Sequence, residues 1–171
     1  MSDAARQRLV AERKALAASR PVGCWARPKK AKDGSIDLFN WEAAIVPRTT
    51  SAYALAEGET LRLTFSFSPE YPLKAPAVSF SPPIFHTNVF KDGRVCLSLL
   101  LEKGHHADAV VKHSGHWVPS LTISDLLTAM TTFLDEPNPQ SIANDDACAL
   151  LKRSKHAYEA EVRKRMAAYR P

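Results

Sequence analysis

Long apolar runs are missing. No stretch of the 171 residues approaches the roughly 20 apolar residues a membrane span needs, and the first residues carry no apolar signal region, so no membrane partner is expected. Cysteine is scarce. Cys24, Cys96 and Cys148 are an odd number without metal-ligand spacing, which argues against a disulfide framework and for a reducing compartment, nucleus and cytoplasm. Internal repeats and low-complexity tracts are absent, which excludes a repeat array. Aromatic residues amount to only 8%. The first 32 residues hold a single one, Trp25, so the stacking platforms that single-stranded nucleic acid requires are lacking there.

What is present fits one globular domain spanning residues 1–171. A chain of this length buries roughly 70% of its unfolded surface, and 45% hydrophobic with 24% charged residues is ordinary for such a domain. The net charge of +5 is concentrated at the two ends. Arg6, Arg8, Arg13, Lys14, Arg20, Arg27, Lys29, Lys30 and Lys32 face only Asp3 and Glu12 before Asp33, and a second basic cluster runs from Lys152 to Arg165. Basic ends of this kind suit nucleic acid or an acidic protein partner. With no stacking platform, the protein partner is the expectation and nucleic acid is not.

Residues 3–18 read as an amphipathic helix with Ala5, Leu9 and Leu16 in a narrow buried stripe, ended by Ser19-Arg20-Pro21 because the residue before proline avoids helical geometry. Lys32-Asp33-Gly34-Ser35 signals a hairpin turn. Trp41, Ala43 and Ile45 alternate after it, Leu61, Leu63, Phe65 and Phe67 give the cleanest two-residue period, and Val78 with Phe80 marks a further short strand. Residues 46–60 read as an irregular connection. From 81 to 120 no period holds, and a segment that long without an element is usually functional. Thr122-Ile123-Ser124-Asp125 is a capping box, followed at helical spacing by Leu126, Leu127, Met130, Phe133 and Leu134 and stopped by Pro137 and Pro139. Ala143, Ala147, Leu150 and Leu151 mark another helix, and Tyr158, Val162, Met166 and Tyr169 the last. The order predicts an α+β fold: an N-terminal helix, a four-stranded antiparallel meander sheet, a long active-site segment and C-terminal helices.

The chemistry gathers in the aperiodic segment. A single cysteine in an apolar context is more often a buried small hydrophobe; His86 alone reads as a structural histidine, and Asn88 alone means little. The constellation is more specific: His86-Thr87-Asn88, Cys96 eight residues after the asparagine, Trp117-Val118-Pro119, then Glu136-Pro137-Asn138. It resembles the ubiquitin-conjugating enzyme family, whose pattern is His-Pro-Asn, a cysteine eight residues on, then Trp-x-Pro. Upstream, Tyr71-Pro72-Leu73-Lys74-Ala75-Pro76 is similar to the family's Tyr-Pro-x-x-Pro-Pro stretch, and the likeness runs over residues 8–171. Within the family, Leu9-Val10-Ala11-Glu12-Arg13-Lys14-Ala15, the run from Asp33 to Glu42 and Pro82-Pro83-Ile84-Phe85-His86 look most like the SUMO-conjugating branch.

That resemblance implies a transferase that needs no cofactor and no metal. Cys96 would accept an activated ubiquitin-like modifier, SUMO first and ubiquitin as the alternative, as a thioester from an activating enzyme, and would pass it to a substrate lysine with the help of ligases. A thiolate is both nucleophile and leaving group, so the exchange requires no Cys–His dyad. In the second step Asn88 would donate to the oxyanion, while His86 braces the loop. Phe90, Lys74 and Asp92 would meet the substrate: Phe90 stands where the SUMO enzyme has a tyrosine, and Asp92 and Arg94 replace small hydroxylated residues of its groove. The attacking lysine, near pKa 10.4 in water, needs desolvation, to which Leu99 or Leu100 would contribute, and a proton acceptor. Ser141 stands where the family often has an aspartate, which leaves Ser141 itself, or Asp145 with Asp146, to serve. Arg13, Lys14 and Arg20 would dock the activating enzyme and a second modifier.

Other readings remain open at this stage. Cys96 and Trp117 are 21 apart, longer than in the SUMO enzyme, and this spacing, like the run from Ser141 to Ala147, is similar to ubiquitin-specific relatives with a loop insertion. A modifier-binding variant without catalysis would lack Cys96. A cysteine peptidase would need a histidine pairing that no spacing supplies. His105, His106, His113 and His116 match no structural zinc pattern, and a solvated loop is the expectation for them.

Overall fold

The computed structural model describes residues 3–100, 116–138 and 141–171. Helix α1 (Asp3–Ala18) leads into strands β1 (Cys24–Lys30), β2 (Ile36–Ile45), β3 (Leu61–Ser66) and β4 (Ala77–Phe80). A short 3-10 turn (Ser98–Leu100) follows, and then helices α2 (Ile123–Phe133), α3 (Asp145–Arg153) and α4 (Lys155–Ala167). The strands form one antiparallel sheet in the order β1-β2-β3-β4. This is the expected α+β meander.

Local chemistry explains each element. Ser35 bonds Asp33 Oδ1 through both its N–H and its hydroxyl, and Ala31 N–H reaches Ser35 O at 2.8 Å, which closes the β1–β2 turn. Pro28 has no N–H to give a ladder, and it sits in the sheet-edge strand β1, where the register slips between Pro28 and Lys29. Along β3, Leu61, Leu63 and Phe65 are buried while Arg62 and Ser66 are exposed. The capping box of α2 is complete: Thr122 accepts from Asp125 N–H, and Asp125 accepts from Thr122 N–H at 2.8 Å.

Several boundaries differ from the sequence reading: Phe67 lies just past β3 and Leu134 caps α2. Asn144, whose side chain accepts from Ala147 N–H at 3.2 Å, caps α3, and Ala143 lies outside with its N–H on Thr87 O at 2.8 Å. Tyr169 lies just beyond α4, where its hydroxyl accepts from Arg62 N–H. The apolar stripe of α1 also contains a charge. Glu12 is only 5% exposed and accepts from Arg8 Nε (2.6 Å), Ile123 N–H (2.6 Å) and the Tyr71 hydroxyl. A carboxylate survives burial when its lone pairs are taken in this way, and here it ties α1 to the first turn of α2.

Candidate active site

The segment after β4 folds back along that strand. Phe80 N–H bonds Gly93 O and Val95 N–H bonds Val78 O, at 2.8 and 2.9 Å, and Val89 pairs with Val95. At the tip, Phe90 N–H donates to Arg94 O and Gly93 N–H to Phe90 O, both at 2.9 Å. Gly93 has φ +94, and a Cβ there would run into the Phe80 carbonyl, so only glycine fits. Cys96 follows at the foot of this turn. Its N–H donates to Asn88 O at 2.8 Å, which sets the cysteine directly beside the asparagine eight residues earlier.

Cys96 is half-buried and free. Burial raises its thiol pKa above the ordinary value, and among the described residues no hydrogen bond reaches its sulfur. Such a partly shielded thiol is suited to exchange with an activated thioester. Leu97, Leu99 and Leu100 pack against the core next to it and supply an apolar border.

Asn88 is fully buried and fully bonded. Its Nδ2 donates to Asn138 O and to Ser141 O, both at 2.6 Å. Its Oδ1 accepts from Asn138 N–H at 2.8 Å and from the Thr87 hydroxyl at 3.1 Å. Thr87, which departs from the family's proline, thereby supplies a bond a proline could not. Asn138 was prominent in the motif without a role; here it is the main partner of Asn88, and its Nδ2 also donates to Ser141 Oγ at 3.3 Å.

His86 holds this asparagine from below. Its Nδ1 accepts from Asn88 N–H at 3.0 Å, which leaves the proton on Nε2, facing Phe133 O at 3.2 Å. The ring stacks on Phe133 with centroids 4.3 Å apart. Burial drives its pKa down to about 3, so it is neutral at physiological pH and moves no proton there.

The remaining predicted residues fall into three places. Ser141 joins Asn88 through its carbonyl. Asp145 is exposed on the first turn of α3, and its neighbour Asp146 pairs with Lys91 at 2.9 Å, which lowers the Asp146 pKa; Asp145 contributes charge to the same lysine. Neither aspartate is bonded to the Cys96–Asn88–Ser141 group. Phe90 and Asp92 lie on the Cys96 turn, both tied to Arg94, whose guanidinium is 4.9 Å from the Phe90 centroid and 2.7 Å from Asp92 Oδ2.

Lys74 is separate, ion-paired with Glu70 at 2.6 Å in a stretch anchored by Trp117 Nε1 on Pro72 O. Arg13 and Arg20 line one groove with Trp25 and Arg27, to which Cys96 does not contribute, and Lys14 is exposed one residue from Arg13. Among the described residues no three His, Cys, Asp or Glu side chains converge as a metal site. His105, His106 and His113 lie outside the described residues.

Comparison with known proteins extends this geometry along the chain. The ubiquitin-conjugating enzyme family matches residues 8–166. The chain is also similar to SUMO-conjugating enzyme UBC9 of Caenorhabditis elegans, 36% identical over 169 residues, which cover 99% of this chain and 93% of that protein. Over the whole fold, with the cysteine set beside the asparagine, the chain belongs to the ubiquitin-conjugating enzyme family.

Proposed function

We propose that this protein accepts SUMO as a thioester on Cys96 and transfers it to substrate lysines. The observation that carries the reading is the 36% identity to a SUMO-conjugating enzyme along 99% of the chain. Cys96 attacks the thioester on the activating enzyme, and the activating enzyme's thiol leaves. A lysine amine then adds to the Cys96 thioester carbonyl, the oxyanion collapses, and the Cys96 thiolate departs as the isopeptide forms.

Asn88 is the proposed oxyanion donor. Both its N–H bonds are spent on Asn138 O and Ser141 O, so one of them opens as the oxyanion forms. Phe90 and the leucines after Cys96 form the apolar border that favours a neutral attacking amine. Arg13, Lys14 and Arg20 are the proposed docking residues for the activating enzyme, and nucleus and cytoplasm the compartment, in keeping with three free cysteines.

A second reading, ubiquitin as the modifier, is favoured by the 21-residue spacing from Cys96 to Trp117. Incubation with ATP and either SUMO and its activating enzyme or ubiquitin and its own separates them. The modifier that yields a reductant-sensitive adduct is the right one, and charging with ubiquitin alone overturns the SUMO reading.

A further inference from the structure

The connection over residues 46–60, irregular in sequence, buttresses both chain segments that hold Asn88. Ser51 is buried, and its hydroxyl donates to Asp135 Oδ1 at 2.5 Å while accepting from Tyr53 N–H at 3.1 Å. Arg48 closes the other side of the carboxylate, with Nε and Nη2 at 3.0 and 2.7 Å from Asp135 Oδ2. Further along the same loop, the Tyr53 hydroxyl donates to Phe85 O at 2.8 Å, next to His86, and meets the Tyr158 hydroxyl at 2.8 Å.

Asp135 stands just past α2, between two residues on which the asparagine depends. Phe133 O faces His86 Nε2, and the Asn138 backbone both accepts from and donates to the Asn88 side chain. The chain between Asp135 and Asn138 is short and stiff. Asp135 and Glu136 turn their N–H groups onto Thr132 O, at 3.1 and 3.2 Å, and Pro137 has a fixed φ and no N–H. The Asp135 side chain is therefore the anchor that sets where this strut places Asn138, and Asn138 in turn sets Asn88. A carboxylate gripped from one side by a guanidinium and from the other by a buried hydroxyl gives such a fixed point.

We propose that Ser51 and Asp135 are a positioning pair for lysine transfer, fixing through Asn138 the direction in which Asn88 offers its amide. Neither residue touches the reacting atoms. Their role rests on Asn88 being the oxyanion donor. One Asn88 N–H has to swing from its carbonyl to the oxyanion, so the strut that carries that carbonyl must stay in place. A shift of the strut misaligns the donor in the transition state, and misplacement on the order of 1 Å costs up to ~10²-fold in rate. Thiol exchange at Cys96 does not use the donor and is left untouched.

The test follows charging of the full chain and its single-turnover discharge to a lysine peptide over a range of peptide concentrations. Ser51→Ala and Asp135→Leu are expected to slow discharge at saturating peptide about tenfold, with KM and the charging rate at wild-type values. Ser51→Thr, which keeps the hydroxyl, and Asp135→Asn, which keeps an acceptor, restore most of the rate. In an Asn88→Ala background, Ser51→Ala slows discharge no further, because the group it positions is gone. Arg48→Gln, at a side chain 58% exposed, keeps the fold and slows discharge about two- to threefold with the same split. It decides the matter should the buried variants fail to fold. Wild-type discharge by folded Ser51→Ala, or by Arg48→Gln where Ser51→Ala does not fold, overturns the pair. So do equal losses in charging and discharge, or a further tenfold loss on top of Asn88→Ala. An Asn88→Ala variant that discharges at the wild-type rate overturns the donor reading itself, and the pair's role with it.

Discussion

The Nδ2 group of Asn88 reaches the carbonyl of Ser141 at 2.6 Å, across 53 residues of chain, and gives its other hydrogen to Asn138 O at the same distance. The side chain proposed as the oxyanion donor is therefore also the fastener of the turn leading into α3. These two duties separate experimentally.

Asn88→Ala removes both donors and leaves Asn138 N–H without its acceptor. Each buried group left unsatisfied costs about 1–3 kcal/mol, so urea denaturation registers a clear loss of stability. Discharge to lysine slows by ~10²–10³ through loss of the donor, while charging of Cys96 stays near normal. Asn88→Asp sets a carboxylate against two carbonyl oxygens and destabilises more than alanine at pH 7. An aspartate variant as stable as wild type contradicts the bonding pattern.

His86 gives the fold a defined acid sensitivity. Its native pKa is about 3 against an ordinary 6.5, so between those values the unfolded chain binds a proton that the native chain refuses. Stability from this group is complete above pH 6.5 and is lost as pH falls below it, at about 1.4 kcal/mol per unit. The drop in unfolding free energy from pH 7 to pH 5 is expected to be about 2 kcal/mol larger in wild type than in His86→Gln. Equal drops mean that His86 is protonated in the native state.

Asp146 is engaged by Lys91, and Asp145 is exposed on the first turn of α3. Ser141, in contrast, bonds Asn88 through its carbonyl. Ser141→Asp is therefore expected to speed discharge to free lysine below pH 8, since a carboxylate attracts the incoming ammonium by ~1 kcal/mol at 4 Å in bulk water and more near a protein surface. Asp145→Ala with Asp146→Ala is expected to change little. A slow double-alanine variant and an indifferent Ser141→Asp assign the acceptor to the aspartates.

Arg13 and Lys14 are exposed on α1, and Arg13 shares its groove with Arg20 and Arg27. Reversal of Arg13 and Lys14 to Glu weakens charging by the activating enzyme, and added salt weakens the wild type in the same direction. Salt-independent charging, untouched by the reversal, reduces that face to solvated surface.

Much of the fold is legible in the sequence because its signals are local. The capping box at Thr122 and Asp125 spans three residues, the alternation of Leu61, Leu63 and Phe65 needs only one strand, and the Lys32–Ser35 turn closes on itself. The site is legible only as a constellation: the eight-residue step from Asn88 to Cys96 becomes a hydrogen bond between them. What stays hidden is pairing across distance. Glu12 reads as one more surface charge until Tyr71 and Ile123, 59 and 111 residues away, meet it. The saturation of Asn88 likewise depends on carbonyls 50 and 53 residues away, which no local pattern announces.

The central claim is that Cys96 carries the modifier, and reductant sensitivity of the adduct tests it directly. With ATP, activating enzyme and SUMO, the wild type is expected to form an adduct lost on adding thiol, as are Cys24→Ser and Cys148→Ser. Cys96→Ser is expected to form only a thiol-resistant oxyester and to transfer nothing to lysine. A thiol-sensitive adduct on Cys96→Ser, or its loss in either of the other two variants with Cys96 intact, contradicts the account.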